Sequence, residues 1–155
     1  MSEANDYVDR ETGTAYADAR GLVDAYIARF SAQVSLARGS EVVFDPLGAD
    51  GYSSVSRGSA TIGINVLAEQ GVLLFLARVL KLPAGGREEL YRLLLELNYA
   101  ATSDAAFAIE KDTETVCLRA MRSIAGLDYA EFEDMLHTIA AVADEWDDEL
   151  QERFS

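Results

Sequence analysis

Apolar residues recur every three or four positions in three stretches of the chain, which is the spacing of an amphipathic helix. The first two stretches are Thr14–Ala37 and Arg87–Asn98. The third begins at Asp128, which can cap a helix because Glu131 follows three residues later, and it continues to Phe154. The pattern therefore predicts three helices, and the last would be about 40 Å long at about 1.5 Å per residue.

Apolar runs between these helices predict strands. Ala60–Leu67 alternates, and the nearly continuous apolar run Val72–Leu82 follows after a short polar turn, which indicates a hairpin. Ala106–Glu110 and Thr115–Met121 alternate around a polar turn and predict a second hairpin, and Glu41–Asp45 predicts a further short strand. The turns are too short for parallel crossovers. We therefore expect an α+β fold, a mostly antiparallel sheet with helices packed on it, in the order α-β-β-β-α-β-β-α.

The length and the charge narrow the classes of partner. A chain of 155 residues, of which 50% are hydrophobic, is the size of one globular domain, so we expect a single domain over 1–155 with frayed ends at 1–13 and 152–155. The formal net charge is -14, from 27 acidic and 13 basic residues. A field of this sign repels phosphate groups, so we expect no nucleic-acid partner and no membrane partner.

The redox and targeting signals favour the cytoplasm. The chain has one cysteine, Cys117, and so cannot form an intramolecular disulfide. Its polar, acidic beginning does not resemble a signal peptide, and no stretch approaches the ~18 continuous apolar residues of a membrane span. We expect a cytoplasmic protein.

Residues for catalysis are present singly but do not form a set. The only histidine, His137, lies on the polar side of the last predicted helix, and Cys117 has apolar strand neighbours and no histidine near it in sequence. An exposed imidazole and a half-buried structural thiol are the simpler interpretations. We expect no enzyme, no cofactor and no metal. The acidic side chains near the C-terminus point in different directions on a helix, which predicts a solvated face: Asp144, Glu145, Asp147, Asp148 and Glu149.

Several segments resemble a known family. They are LYRLLLELN (Leu90–Asn98), AAFAIE (Ala105–Glu110), TVCLRA (Thr115–Ala120), GLDYAEFEDMLHTIAAVADEWDDEL (Gly126–Leu150) and GSATIGINV (Gly58–Val66). Together they are similar to the YbjN-type proteins and, more distantly, to the class I type III secretion chaperones. The resemblance implies a helix, three strands, a helix, two strands and a helix, often assembled as a homodimer, with a low isoelectric point and no enzymatic activity.

The resemblance also implies a dimer interface. In secretion chaperones of this build, the second helix and a neighbouring strand commonly form the dimer. An ordinary core stripe explains the leucines of that helix equally well. Carried over by position, the candidate interface consists of Leu90, Leu93, Leu94, Leu97, Phe107 and Ile109.

A second surface is expected to bind a partner protein or peptide. Secretion chaperones hold an extended, partly unfolded effector segment in apolar grooves, and apolar strand edges and grooves suit extended peptides. The unusually apolar Val72–Leu82 run favours a strand that is buried on both faces or covered by a partner chain. The candidate partner-binding residues are Val72, Leu74, Leu76, Tyr26 and Phe30.

Two functions from different classes follow. The first is a non-catalytic protein-binding or peptide-binding module that chaperones or regulates a partner protein. The alternative is a small-ligand-sensing regulatory domain with an apolar pocket between the last helix and the sheet, near Tyr129 and Trp146.

Overall fold

The computed structural model describes residues 5–36, 42–44, 47–57 and 60–155. It contains three helices and eight strands within those residues. In chain order they are β1 (Val8–Asp9), β2 (Thr14–Ala15), α1 (Ala19–Leu36), β3 (Val42–Phe44), β4 (Tyr52–Arg57), β5 (Ala60–Leu67), β6 (Val72–Lys81), α2 (Arg87–Ala100), β7 (Ala106–Glu110), β8 (Thr115–Ser123) and α3 (Tyr129–Phe154).

Six strands form one antiparallel sheet in the order β3-β4-β5-β6-β8-β7. Both predicted hairpins, β5 with β6 and β7 with β8, are confirmed. Strand β8 lies between β6 and β7, because the chain passes through α2 and returns to the sheet edge before it pairs with β6. The predicted α+β class and the order of elements are confirmed.

Two features were not predicted from the sequence. Strand β4 has the sequence YSSVSR, in which three serines hide the strand pattern, and it forms because β5 pairs with it along its whole length. The second is the small hairpin of β1 and β2. As a result α1 begins at Ala19 rather than at Thr14, after Asp18, whose side chain accepts a hydrogen bond of 2.8 Å from the Gly21 N–H.

The two ends that were expected to be frayed carry structure in the described residues. The β1–β2 hairpin packs on the junction of α1 and α3, where Glu11 pairs with Arg29 at 2.8 Å and the Asp6 carbonyl accepts from Gly126 N–H at 3.1 Å. At the other end α3 continues to Phe154, whose side chain is buried.

The core lies between one face of the sheet and the helices α1 and α3. Its centre is Phe132 of α3, which is fully buried. The Phe132 ring centroid is 5.6 Å from that of Phe75 on β6 and 5.7 Å from that of Tyr26 on α1. Phe30 and Tyr129 complete this group of aromatic side chains. The sheet, α1 and α3 are therefore joined through one side chain.

The start of α3 is fixed by capping and by a buried hydrogen bond. Asp128 accepts from the Glu131 N–H at 2.8 Å, which confirms the predicted cap. The Tyr26 hydroxyl donates to the Leu127 carbonyl at 2.9 Å. Burial raises the pKa of Tyr26 to about 12, so this hydroxyl keeps its proton through the physiological range.

Candidate functional site

The face of the sheet opposite α1 and α3 carries a row of apolar side chains, which we call the open face: Tyr52, Val72, Leu74, Leu76 and Met121. Tyr52 on β4, Leu74 on β6 and Met121 on β8 lie in one row across the sheet, because Asn65 on β5 pairs with both Tyr52 and Leu74, and Leu74 pairs with Met121. Their side chains therefore share a face. Tyr52 and Met121 leave 40% and 44% of their surface exposed. The open face is therefore a largely apolar surface in contact with solvent, with Asn65 in the same row and Arg119 beside Leu76.

A glycine shapes this surface. Gly63 on β5 lies beneath the Tyr52 ring, so a Cβ at Gly63 would come within 3.0 Å of the Tyr52 Cε2 atom. The absence of a side chain lets the ring lie flat across the strand. Leu76 on β6 is the register partner of Gly63. The result is a shallow apolar strip across β4, β5 and β6.

The end of the open face is closed by an ion pair over Cys117. Arg78 and Glu110 are 3.2 Å apart, and Cys117 on β8 is the register partner of Arg78. The Cys117 thiol is buried and lies 3.6 Å from the Ala108 carbonyl oxygen. Burial, with a smaller contribution from the Glu110 carboxylate, raises the pKa of this thiol. The interpretation of Cys117 as a structural residue agrees with this environment.

Cys117 is expected to react slowly with a thiol reagent in the native protein. Its raised pKa lowers the thiolate fraction near pH 8, and the thiol is covered, so the rate should be at least ~10-fold lower than in the unfolded chain. The rate should rise as the pH passes above the ordinary thiol pKa. Following the absorbance of Ellman's reagent with and without guanidinium measures both rates, and equal rates would contradict the burial.

Helix α2 carries a second apolar surface on its outer side. Tyr91, Leu95 and Tyr99 follow one another at intervals of four residues and so form a row, which we call the α2 row. Leu95 is 69% exposed and Tyr99 is 95% exposed, and the three side chains line a shallow depression. An ion pair of 2.9 Å between Arg92 and Glu96 runs beside the row.

The structure divides the predicted dimer interface between the core and the surface. Leu90, Leu94, Leu97 and Phe107 are buried in the core of the single chain, and Leu93 packs against it, so these side chains are already covered without a partner. The physical reason is that the leucine stripe of α2 already packs within the chain, against β7 and the core. Ile109 is 43% exposed. The exposed α2 row was missed, although its spacing in the sequence is regular.

The predicted partner-binding residues lie in two different places, the open face and the core. Val72, Leu74 and Leu76 lie on the open face, only partly buried. Tyr26 and Phe30 are buried, because α3 covers the apolar stripe of α1, and they cannot contact a partner in this structure. Tyr52 and Met121 were missed, because Tyr52 stands in a strand with a polar sequence and because strand pairing alone brings Met121 beside Leu74.

The remaining candidates for chemistry stay dispersed. His137 is exposed, and its ring centroid lies 5.4 Å from that of Phe30, with the two rings tilted by 55°. Among the residues that the structure describes, no group of His, Cys, Asp and Glu side chains could hold a metal ion. The acidic face of α3 is solvated as predicted except at Asp147, which is buried. That exception corrects the prediction, because Asp147 shares the helix side of the buried residues Ala143 and Leu150.

The proposed pocket between α3 and the sheet is filled near Tyr129. This side chain is buried, and its ring packs 5.6 Å from Tyr26 and 6.2 Å from Phe132. Its hydroxyl donates to Gln33 on α1. Trp146 packs partly buried against the same core. No helix in the described ranges is long and apolar enough to span a membrane.

An antiparallel α+β fold with two exposed apolar surfaces offers places where another protein could bind. Residues 44–147 match the sequence model of the Tir chaperone protein (CesT) family, and the chain therefore belongs to this family. This assignment confirms the predicted class of function, a chaperone-type protein that binds another protein. No curated protein sequence matches the chain.

Solved structures share the fold. A chain of the ExsC–ExsE complex is 24% identical, with a TM-score of 0.64 over 84% of this chain and 94% of that chain. A chain of the HopA1–SchA chaperone–effector complex is 10% identical, with a TM-score of 0.60 over 81% and 93%. A chain from the complex of the Yersinia pestis type III secretion chaperone SycH with a fragment of YscM2 is 15% identical, with a TM-score of 0.53 over 79% and 97%.

Proposed function

We propose that this protein is a non-catalytic, cytoplasmic chaperone that binds a segment of a type III secretion effector and acts as a homodimer. The observation that carries the proposal is the open face, an apolar strip on a sheet whose other face is already covered by helices. Family membership supports it, and the complexes with similar folds include one described as chaperone–effector. The likeness to YbjN-type proteins stays a prediction from the sequence.

The open face suits an extended polypeptide. Leu74 and Leu76 are alternate residues of β6, and alternate residues of a strand are spaced by about 6.6 to 6.8 Å. An extended partner segment has the same spacing, so its alternate apolar side chains would meet Val72, Leu74 and Leu76 in turn. We propose this strip as the client-binding surface.

Charge favours clients of opposite sign. The net charge of -14 gives the protein a long-range field that attracts basic segments and speeds their encounter. The same field disfavours nucleic acid and anionic membranes as partners. A client segment with apolar residues on the strip and basic residues in its flanks fits both observations, and its capture should weaken as salt is raised.

The α2 row is the surface that we propose for self-association. Leu95 and Tyr99 expose apolar side chains that make no contribution to the core of one chain. Contiguous exposed apolar side chains mark surfaces that contact another protein. Ile109 lies exposed on β7, the strand against which α2 packs, and would extend the same interface.

A client-capture experiment tests the open face. We expect Leu74→Asp to lower client recovery from cells of the source organism by about tenfold or more, because a carboxylate would face the apolar strip. Recovery is measured by affinity capture with quantitative mass spectrometry. Thr113→Asp is the matched control, since it adds the same charge at the exposed β7–β8 turn.

The two variants separate the outcomes. A protein that is retained by the wild type and by Thr113→Asp but lost by Leu74→Asp supports the client surface. If Leu74→Asp stays folded and retains every protein that Thr113→Asp retains, the open face is not the client-binding surface.

A further inference from the structure

Strand β7 ends the sheet, and a side chain of α2 occupies the position of the strand that would follow it. The Asn98 Oδ1 atom accepts from the Phe107 N–H at 2.7 Å. The Asn98 Nδ2 atom donates to the Phe107 carbonyl at 3.1 Å. These two bonds are the pair that a residue of a neighbouring antiparallel strand would make. One amide side chain therefore replaces a seventh strand at this point.

The backbone before Phe107 is also occupied. The Ala105 N–H donates to the Thr102 carbonyl at 3.0 Å, and Thr102 is itself buried in the loop after α2. Because peptide groups alternate along a strand, those of Ala105, Phe107 and Ile109 face the same edge. Within the described residues, no hydrogen bond closes this edge at Ile109, whose side chain is exposed. The outer edge of β7 is thus closed at Ala105 and Phe107 and open at Ile109.

We propose that Asn98 is an edge-capping residue that prevents β7 from pairing with β7 of a second copy of this chain. A free antiparallel edge is a template for sheet extension, and two successive open positions supply four hydrogen bonds to an added strand. With Asn98 in place, Ile109 is the one position of the three that stays open to strand pairing. A second copy is then left to approach this end of the molecule through side chains.

Amide hydrogen exchange and sedimentation velocity on the full chain test this cap. In Asn98→Ala, exchange of the Phe107 amide should be at least about tenfold faster than in the wild type. The association constant for self-association should rise by about tenfold or more. The amide I infrared band should show additional strand signal, because the new contact pairs two strands. Glu89→Ala is the matched control, because Glu89 lies on the same helix away from the α2 row, where it pairs with Arg153 at 3.7 Å. It should leave both readings unchanged.

A second substitution identifies the edge that associates. Adding Ile109→Lys to Asn98→Ala puts a charge at the open position and should remove the added association, so that the double variant has the size distribution of Ile109→Lys alone. The proposal is overturned if Asn98→Ala frees the Phe107 amide yet keeps the wild-type sizes over the whole concentration range, or if Ile109→Lys has no effect on the new association. Should Asn98→Ala not fold, Asn98→Asp replaces it. That variant keeps the acceptor for the Phe107 N–H and frees only the Phe107 carbonyl, so wild-type sizes over the whole concentration range would overturn the proposal.

Discussion

Replacing Leu94 by Glu is expected to unfold the protein, whereas replacing its neighbour Leu95 by Glu is expected to leave each chain folded and to separate the proposed dimer. Leu94 is 5% exposed and lies in the core. An unpaired carboxylate there would cost at least ~3 to 5 kcal/mol, a large part of the ~5 to 15 kcal/mol that stabilises a typical domain. Urea unfolding followed by circular dichroism measures this loss.

Leu95 gives the opposite expectation because it is exposed in the single chain. A surface substitution of this kind changes the free energy of unfolding of one chain by ~0.5 kcal/mol or less. In the proposed dimer the same carboxylate would enter an apolar contact and cost ~2 kcal/mol or more of association free energy. Light scattering coupled to size exclusion gives the mass. A wild-type monomer, or a Leu95→Glu protein with the wild-type dimer mass, would rule out self-association through the α2 row.

Phe132→Ala is expected to have the second large effect, a loss of about 3 to 5 kcal/mol in the free energy of unfolding. The Phe132 ring contacts aromatic side chains from α1 and from β6, and its removal would leave a cavity where the sheet and both helices meet. The loss should lower the midpoint of urea unfolding without changing the slope.

Phe154→Ala serves as the comparison for this prediction. Phe154 is also buried on α3, but it lies in the last helical turn, with Arg153 over its ring at 5.4 Å. Fewer elements depend on it, so the loss should be clearly smaller. If the two variants lose the same stability, Phe132 is not the point at which the layers are joined.

The leucines of α2 show how far a sequence pattern reaches. Their spacing predicts a helix with one apolar side, and that helix is present as Arg87–Ala100. The pattern is the same whether the apolar side faces its own sheet or a second chain. Only the position of α2 beside β7 decides between these, and it places Leu90 and Leu94 in the core. Because the leucine side of α2 packs on the chain, the α2 row lies on the outer side of the helix.

The strands show a similar division. The run Val72–Lys81 has too little alternation to assign its faces, and the register with β5 and β8 decides that Leu73 and Phe75 face the helices while Leu74 and Leu76 face outward. Strand β4 could not be found from YSSVSR, because its stability comes from the partner strands and not from its own side chains.

The sequence by itself determined the α+β class, the two hairpins and the cap at Asp128. These features depend on local spacing and on residue type, which the chain carries without its fold. Tertiary structure alone decided which apolar side chains remain outside the core, and it brought Asn98 to the edge of β7. Contacts between residues distant in sequence set both outcomes, and no local pattern encodes them.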